Sequence, residues 1–168
     1  MAAVAARYGA LDLLVNNVGG SPEMAAADAS PRLHESIIAL NLLAPLHTAQ
    51  AAYRVMRGQE SGGTMINIAS ISGVRPSPGT AAYGAAKAGV LSLTRSLAME
   101  WAPDVRVNAL IVGLAETEAS LEHYGGADGV ARISATIPMR RMARGDDIAD
   151  MVLFLDSDRA RYITGAEI

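Results

Sequence analysis

The 168-residue sequence has no cysteine. That excludes a disulfide scaffold, cysteine-based zinc sites, thiol nucleophiles and dithiol redox pairs together. Lysine is almost absent too: thirteen arginines stand against one lysine, Lys87. Aromatic residues make up 4% of the chain, and its apolar share of 51% is carried mainly by alanine. The formal net charge of −3 lacks the basic excess of an electrostatic nucleic-acid binder. Arg140-Arg141 is a short solvated pair, not a patch. No apolar run approaches the ~18 residues of a membrane span. Met1–Arg7 lacks a basic region followed by an apolar stretch, so it does not read as a signal peptide. The three histidines show no His-Glu-x-x-His spacing, so no metal site is expected. These absences leave a cytoplasmic protein that binds neither nucleic acid nor membrane as the expectation. Its length fits one domain with a real core.

What is there alternates short apolar runs with longer helical stretches, the pattern of βα units on a parallel sheet. Leu11–Val15 is a nearly continuous apolar run ending at Asn16-Asn17-Val18-Gly19-Gly20, as a strand buried on both faces would be. Residues 31–56 carry Leu33, Ile37, Leu40, Leu43 and Ala44 at helical spacing. Ser30-Pro31 supplies an N-cap and a first-turn proline, and Pro45 predicts a kink or break. Strands are expected at 64–68 and 105–112, a loop at 70–79 and a long helix from Thr80 to about Trp101. Residues 113–129 are polar and glycine-punctuated and read as a mobile segment. Asp146-Asp147 sits at the favourable end of a short helix over 148–155, and 163–168 begins a last strand.

Tyr83-Gly-Ala-Ala-Lys87 places a phenol and an amine on one helix face, one turn apart. A free phenol is a poor base at neutral pH, and a neighbouring ammonium favours its phenolate. Such a tyrosine can give or take a proton in acid–base catalysis. Ser70 lies just after the strand expected at 64–68, at the carboxyl end where open α/β sheets place ligands. Asn41 lies beside Pro45, with an amide able to hold a water against Lys87. Taken singly, Ser70 reads as an ordinary loop serine and Asn41 as a helix residue satisfying a broken turn. Together and in this order they point to chemistry.

At these residues the sequence resembles the short-chain dehydrogenase/reductase family. Asn16-Asn17-Val18-Gly19 is similar to the family's Asn-Asn-Ala-Gly motif, with Val18 in place of alanine. Ile66–Ser70 resembles the strand carrying its serine, Tyr83 and Lys87 match Tyr-x-x-x-Lys, and Asn41 completes the tetrad. Residues 106–113 resemble the strand leading to a Pro-Gly turn, with Val112 replacing the proline, and Tyr162–Gly165 resembles the approach to the last strand. The resemblance implies the C-terminal part of a doubly wound, Rossmann-like parallel sheet with flanking helices. It also implies a carbonyl or alcohol substrate and hydride exchange with NAD or NADP. Ser70 would orient the substrate oxygen and Tyr83 would be the acid or base. Lys87 would assist Tyr83 and hold the nicotinamide ribose, and Asn41 would support a water relay. Asn16, Gly19, Gly113 and Thr117 join Tyr83 and Lys87 as the implied cofactor contacts. The helices at about 31–56 and 80–101 are those that pack as a four-helix bundle across the family's dimer interface, so a homodimer or homotetramer is expected.

The family's Gly-rich phosphate turn has no counterpart, since Gly58, Gly62 and Gly63 precede a strand instead of following one. Residues 1–168 therefore read as one partial domain that starts before the fold's fourth strand and stops within its last. The segment that selects NAD or NADP is absent as well. Weak or no cofactor binding by this truncated chain, and an exposed apolar edge at 11–15, are the expectations. A non-catalytic remnant that associates through its long helices is the competing reading. A serine hydrolase pairing Ser70 with His34, His47 or His123 fares poorly, because no Gly-x-Ser-x-Gly elbow is present. Leu114, Leu121, His123 and Tyr124 outline an apolar substrate pocket with a polar rim.

Overall fold

The computed structural model describes residues 1–118 and 120–168. Its centre is a parallel sheet of three strands in the order β1 (Leu13–Asn16), β2 (Gly63–Ser70), β3 (Val105–Val112). Residues 163–168 add to β3 by backbone bonds from Gly165 N to Val107 O, Ala109 N to Ala166 O and Ile168 N to Ala109 O. The residues expected to begin a last strand thus run parallel to β3, joined to it by an isolated bridge between Ala109 and Glu167 and not by a full strand. Adjacent β2 residues serve opposite faces, as the pleat requires. Met65 packs with Leu14, Val105 and Val107 against Ala49, Ala52, Met56, Leu97 and Trp101. Ile66 packs with Leu110 against Val152 and Leu155. Burial of each such large side chain contributes about 1.5–3 kcal/mol.

The helices are α1 (Ala2–Tyr8), α2 (Pro31–Ile38), α3 (Ala44–Met56), α4 (Ala81–Trp101), α5 (Ser120–His123), α6 (Ala127–Thr136) and α7 (Gly145–Asp156). Ser30 caps α2, accepting a bond from Leu33 N, with Pro31 in the first turn. The break expected at Pro45 takes the form of a π-helical turn over Ala39–Leu43 that joins α2 to α3. Pro45 has no N–H to give the carbonyl of Asn41 four residues earlier, so the regular ladder cannot run through. The Ala44 N–H bonds instead to Ala39 O, five residues back.

Two sequence expectations are corrected. Residues 113–129 do not form one irregular stretch: α5 and the start of α6 lie within them. Gly129, taken as punctuation, is buried in α6 where a Cβ would lie 1.5 Å from Tyr124 O, so close approach and not looseness demands glycine. The helix expected over 148–155 begins earlier, at Gly145, and the Asp147 carboxylate accepts the Arg144 N–H at its start. β1 is an edge of the described sheet, but its side chains are mostly covered; Val15 alone is exposed. Among the described residues no helix is long and apolar enough to cross a membrane.

Candidate active site

Three strand ends meet at one edge of the sheet. Asn16 ends β1 and pairs in register with Asn67, and Ser70 ends β2 opposite Val112 of β3. After Ser70 the chain turns through a single 3-10 turn, Ile71–Gly73, which starts with the Ser72 N–H donating to Ser70 Oγ at 3.2 Å. This turn lies directly on the first turns of α4. A Cβ on Gly73 would come within 2.8 Å of the Lys87–Ala88 backbone, and one on Gly84 within 2.8 Å of Ser72 O. These two glycines bring Ser70 against the helix that carries Tyr83 and Lys87. Sequence reasoning passed over both, although Gly84 sits inside the Tyr-x-x-x-Lys motif.

Lys87 is buried, and its Nζ donates to Ile68 O at 2.8 Å, two residues before Ser70 on the same strand. The ammonium also stands 5.6 Å from the Tyr83 ring centroid, within cation–π range. Burial holds the Lys87 pKa below its ordinary value, because the apolar surroundings disfavour the charged form. The half-buried Tyr83 ring covers the amine, so the motif forms one unit on one helix face.

Asn41 is fully buried within the π-helical turn. Its Nδ2 donates to Gly20 O and Ile37 O, each at 2.9 Å, and its Oδ1 accepts the Gly20 N–H at 2.9 Å. Both hydrogens of this amide are committed to protein carbonyls, so a water held by the amide would have to donate to its oxygen. The side chain satisfies its own turn, the plainer of the two sequence readings, and also clamps the loop after β1. Gly19 closes the gap. A Cβ there would lie 2.5 Å from Asn41 Oδ1 and 3.2 Å from Lys87 Nζ, so only glycine lets the loop cross above both.

Asn16 is turned into the sheet. Its Nδ2 donates to Asn67 Oδ1 at 2.8 Å, and Thr48 Oγ1 donates to its Oδ1 at 2.6 Å. Asn67 Nδ2 in turn donates to Thr94 Oγ1 at 2.9 Å. This buried chain ties α3 to α4 beneath the strand ends. Gly113 is exposed after β3, and the Thr117 N–H donates to Ser120 Oγ at 2.7 Å at the start of α5. The structure thus gathers Asn41, Gly19, Tyr83 and Lys87 around one point. Ser70 and Gly113 lie beside it at the strand ends, and Thr117 lies farther out along the chain.

A cavity of about 590 Å³ opens past the ends of β2 and β3, lined by Ile71 and Gly113, the residues that follow Ser70 and Val112. Ile71, Gly113, Leu114, Ile137, Pro138 and Met139 form its apolar wall, with Arg75 and Arg141 among its charged lining. Of the expected pocket residues only Leu114 lines it. Leu121 and His123 face solvent, and His123 packs edge-on against Tyr124. No histidine bonds Ser70 among the described residues, so the hydrolase reading has no base. The described residues also include no group of three or more histidines and carboxylates placed to hold a metal ion.

The family profile described as enoyl-(acyl carrier protein) reductase matches residues 1–168. L-rhamnose 1-dehydrogenase (NAD(P)(+)) of Azotobacter vinelandii is 35% identical over 169 residues, covering 100% of this chain and 66% of that protein. The actinorhodin polyketide ketoreductase solved with NADPH superposes with a TM-score of 0.91 at 30% identity, covering 99% of this chain and 68% of that one. NAD+-bound xylitol dehydrogenase superposes at 0.89 with 27% identity, covering 99% and 70%. The chain spans 66% of the length of the rhamnose dehydrogenase and 30% to 62% of that of other curated relatives. With its Asn-Asn-x-Gly loop, strand-end serine and Tyr-x-x-x-Lys helix assembled on this parallel sheet, the chain belongs to the short-chain dehydrogenase/reductase family.

Proposed function

We propose that this chain carries the catalytic centre of an oxidoreductase acting between a carbonyl and an alcohol with NAD or NADP. The observation that carries the reading is the buried Lys87 ammonium. It is anchored to Ile68 O on the strand that ends at Ser70 and lies against the Tyr83 ring. A nicotinamide, when bound, supplies or accepts the hydride. Gly19 lets the loop after β1 pack directly onto Asn41 and Lys87, which holds that loop beside the Tyr83–Lys87 pair. We assign Gly19, Lys87, Tyr83, Gly113 and Thr117 to the cofactor's border. Asn16 joins them from beneath, through the network that holds its loop.

In this reading the Ser70 hydroxyl donates to the substrate oxygen and orients it. The Tyr83 hydroxyl gives the proton in reduction and takes it in oxidation. Lys87 stabilises the resulting phenolate through its fixed positive charge. Asn41 serves a water relay through its backbone carbonyl, to which Pro45 offers no N–H, while its side chain keeps the Gly20 loop in place. The relatives and structural neighbours include a rhamnose dehydrogenase and a polyketide ketoreductase. Their range supports a carbonyl or alcohol substrate.

Titration of the purified chain with NADH and NADPH, read by nicotinamide fluorescence, tests the reading. Saturable binding that Lys87→Met weakens at least tenfold is the expected result. Saturable binding that Lys87→Met leaves unchanged overturns it, and a folded sample with no saturable signal means that the chain holds these residues without a cofactor site of its own. The second reading, association without turnover through the helices, draws on Leu40 and Leu43, which the π-helical turn leaves exposed. Sedimentation that finds a dimer in wild type and a monomer in Leu40→Glu/Leu43→Glu, with no nicotinamide binding in either, favours that alternative.

A further inference from the structure

Arg75 follows Ser70 by five residues, and its backbone N–H returns to Ile71 O, which fixes the loop at the cavity mouth. Its side chain is exposed and lines the cavity. Among the described residues its guanidinium has neither a hydrogen bond nor an ion pair. The other cation of the lining, Arg141, is already matched: its Nη1 and Nη2 donate to the Asp147 carboxylate at 2.5 and 2.6 Å. Arg141 and Asp147 cancel, so the cavity has an apolar wall of Ile71, Leu114, Ile137, Pro138 and Met139 and one uncompensated positive charge. A guanidinium presents paired N–H donors that match the two oxygens of an anionic group.

We infer that Arg75 selects the substrate class, taking carbonyl or alcohol compounds that bear an anionic oxygen group on an apolar body. The inference rests on the oxidoreductase reading for the position of the reacting carbonyl at Ser70. The anionic group then lies at the cavity mouth and the apolar body between the two. An exposed arginine in contact with solvent can still discriminate here, because the apolar wall removes water from one side of the contact.

The test compares 4-formylbenzoate with 4-methylbenzaldehyde, two compounds of similar shape that differ in charge. Affinities are measured by ligand-observed NMR on the full chain, and turnover of both compounds with NADH and with NADPH is followed alongside. Wild type is expected to prefer the carboxylate at least tenfold. In Arg75→Gln the ratio falls towards one, in Arg75→Lys it falls part of the way, and 0.5 M salt lowers it in wild type and in Arg75→Lys but not in Arg75→Gln. Equal affinities in wild type, or an unchanged ratio in Arg75→Gln, overturn the inference whether or not there is turnover. Absence of turnover with both NADH and NADPH, with the carboxylate preference intact, counts against the oxidoreductase reading and leaves the anion site standing. Melting curves of both variants confirm that the fold is retained.

Discussion

The side chain of Asn41 and the backbone of Gly20 exchange two hydrogen bonds of 2.9 Å, one in each direction. The pair joins the π-helical turn to the loop after β1 and so fixes the floor on which Gly19 lies. Asn41→Ala leaves the Gly20 N–H and carbonyl and the Ile37 carbonyl without this partner. The expected cost is about 1–3 kcal/mol, the penalty for leaving a buried polar group unpaired. Urea unfolding measures it, and a variant within experimental error of wild type removes the clamp from the account.

Gly19→Ala tests the same floor from above. Its Cβ would fall 2.5 Å from Asn41 Oδ1, an atom already held by the Gly20 N–H. The loop must lift, because the opposing atom cannot withdraw without breaking that bond. Nicotinamide affinity is expected to fall at least tenfold while the circular dichroism spectrum stays native. Retained affinity would show that the loop does not border the cofactor.

Lys87 gives a pH signature with a definite sign. Burial lowers its pKa in the folded chain below the ordinary lysine value of about 10.4. Between the folded and unfolded values the unfolded chain binds more protons, so the lysine's contribution to stability rises with pH. Below that window the desolvated ammonium is a constant cost, offset in part by its bond to Ile68 O. Wild-type stability measured against Lys87→Met should therefore climb as pH approaches 10.4 from below. A difference independent of pH across that range contradicts the burial argument.

Much of this site can be read from the chain because its parts obey local rules. Pro45 announces the broken helix by lacking a donor, and the four-residue spacing of Tyr83 and Lys87 puts them on one face in any α-helix. The Asn41 bonds are not legible, since they join residues 21 apart and depend on how the loop folds back. The Asn16–Asn67 pair, 51 residues apart, becomes visible only once the strand register is known. The helices α5 and α6 were hidden by Gly125, Gly126 and Gly129, which read as loop punctuation. Gly125 and Gly126 do adopt positive φ, at 75° and 88°, whereas Gly129 is helical and glycine only for lack of space.

At the cavity rim the Asp147 carboxylate accepts two bonds from Arg141 and one from Arg144 N. The Arg141 guanidinium, followed by the Arg144 N–H, holds its pKa well below the usual carboxylate range. Its stabilising contribution is therefore complete above the unfolded value of about 3.9 and is lost as pH falls through the lower folded value. Asp147→Asn is expected to lower Tm at pH 7, with the gap to wild type narrowing as the pH is taken below 4. Thermal melts at pH 7, 4 and 2.5 read this directly, and a gap that stays constant to pH 2.5 refutes the assignment.

Beneath the strand ends, Asn67 is bonded on both sides, accepting from Asn16 and donating to Thr94. Such a chain couples α4, which carries Tyr83 and Lys87, to the strand that leads into the Gly19 loop. Replacing Asn67 by Leu removes both bonds and leaves Asn16 Nδ2 with only its longer bond to Pro45 O at 3.3 Å, so it should destabilise by about 1–3 kcal/mol. The double-mutant cycle Asn67→Ala with Thr94→Ala should give a coupling of about 0.5–3 kcal/mol, the range for contacting residues in one network. A positioning role for the network has a consequence beyond this stability cost. If the network positions the loop, Asn67→Ala must also weaken nicotinamide binding, although its side chain is buried below the strand ends. A variant that loses stability but binds as wild type would reduce the network to a packing feature.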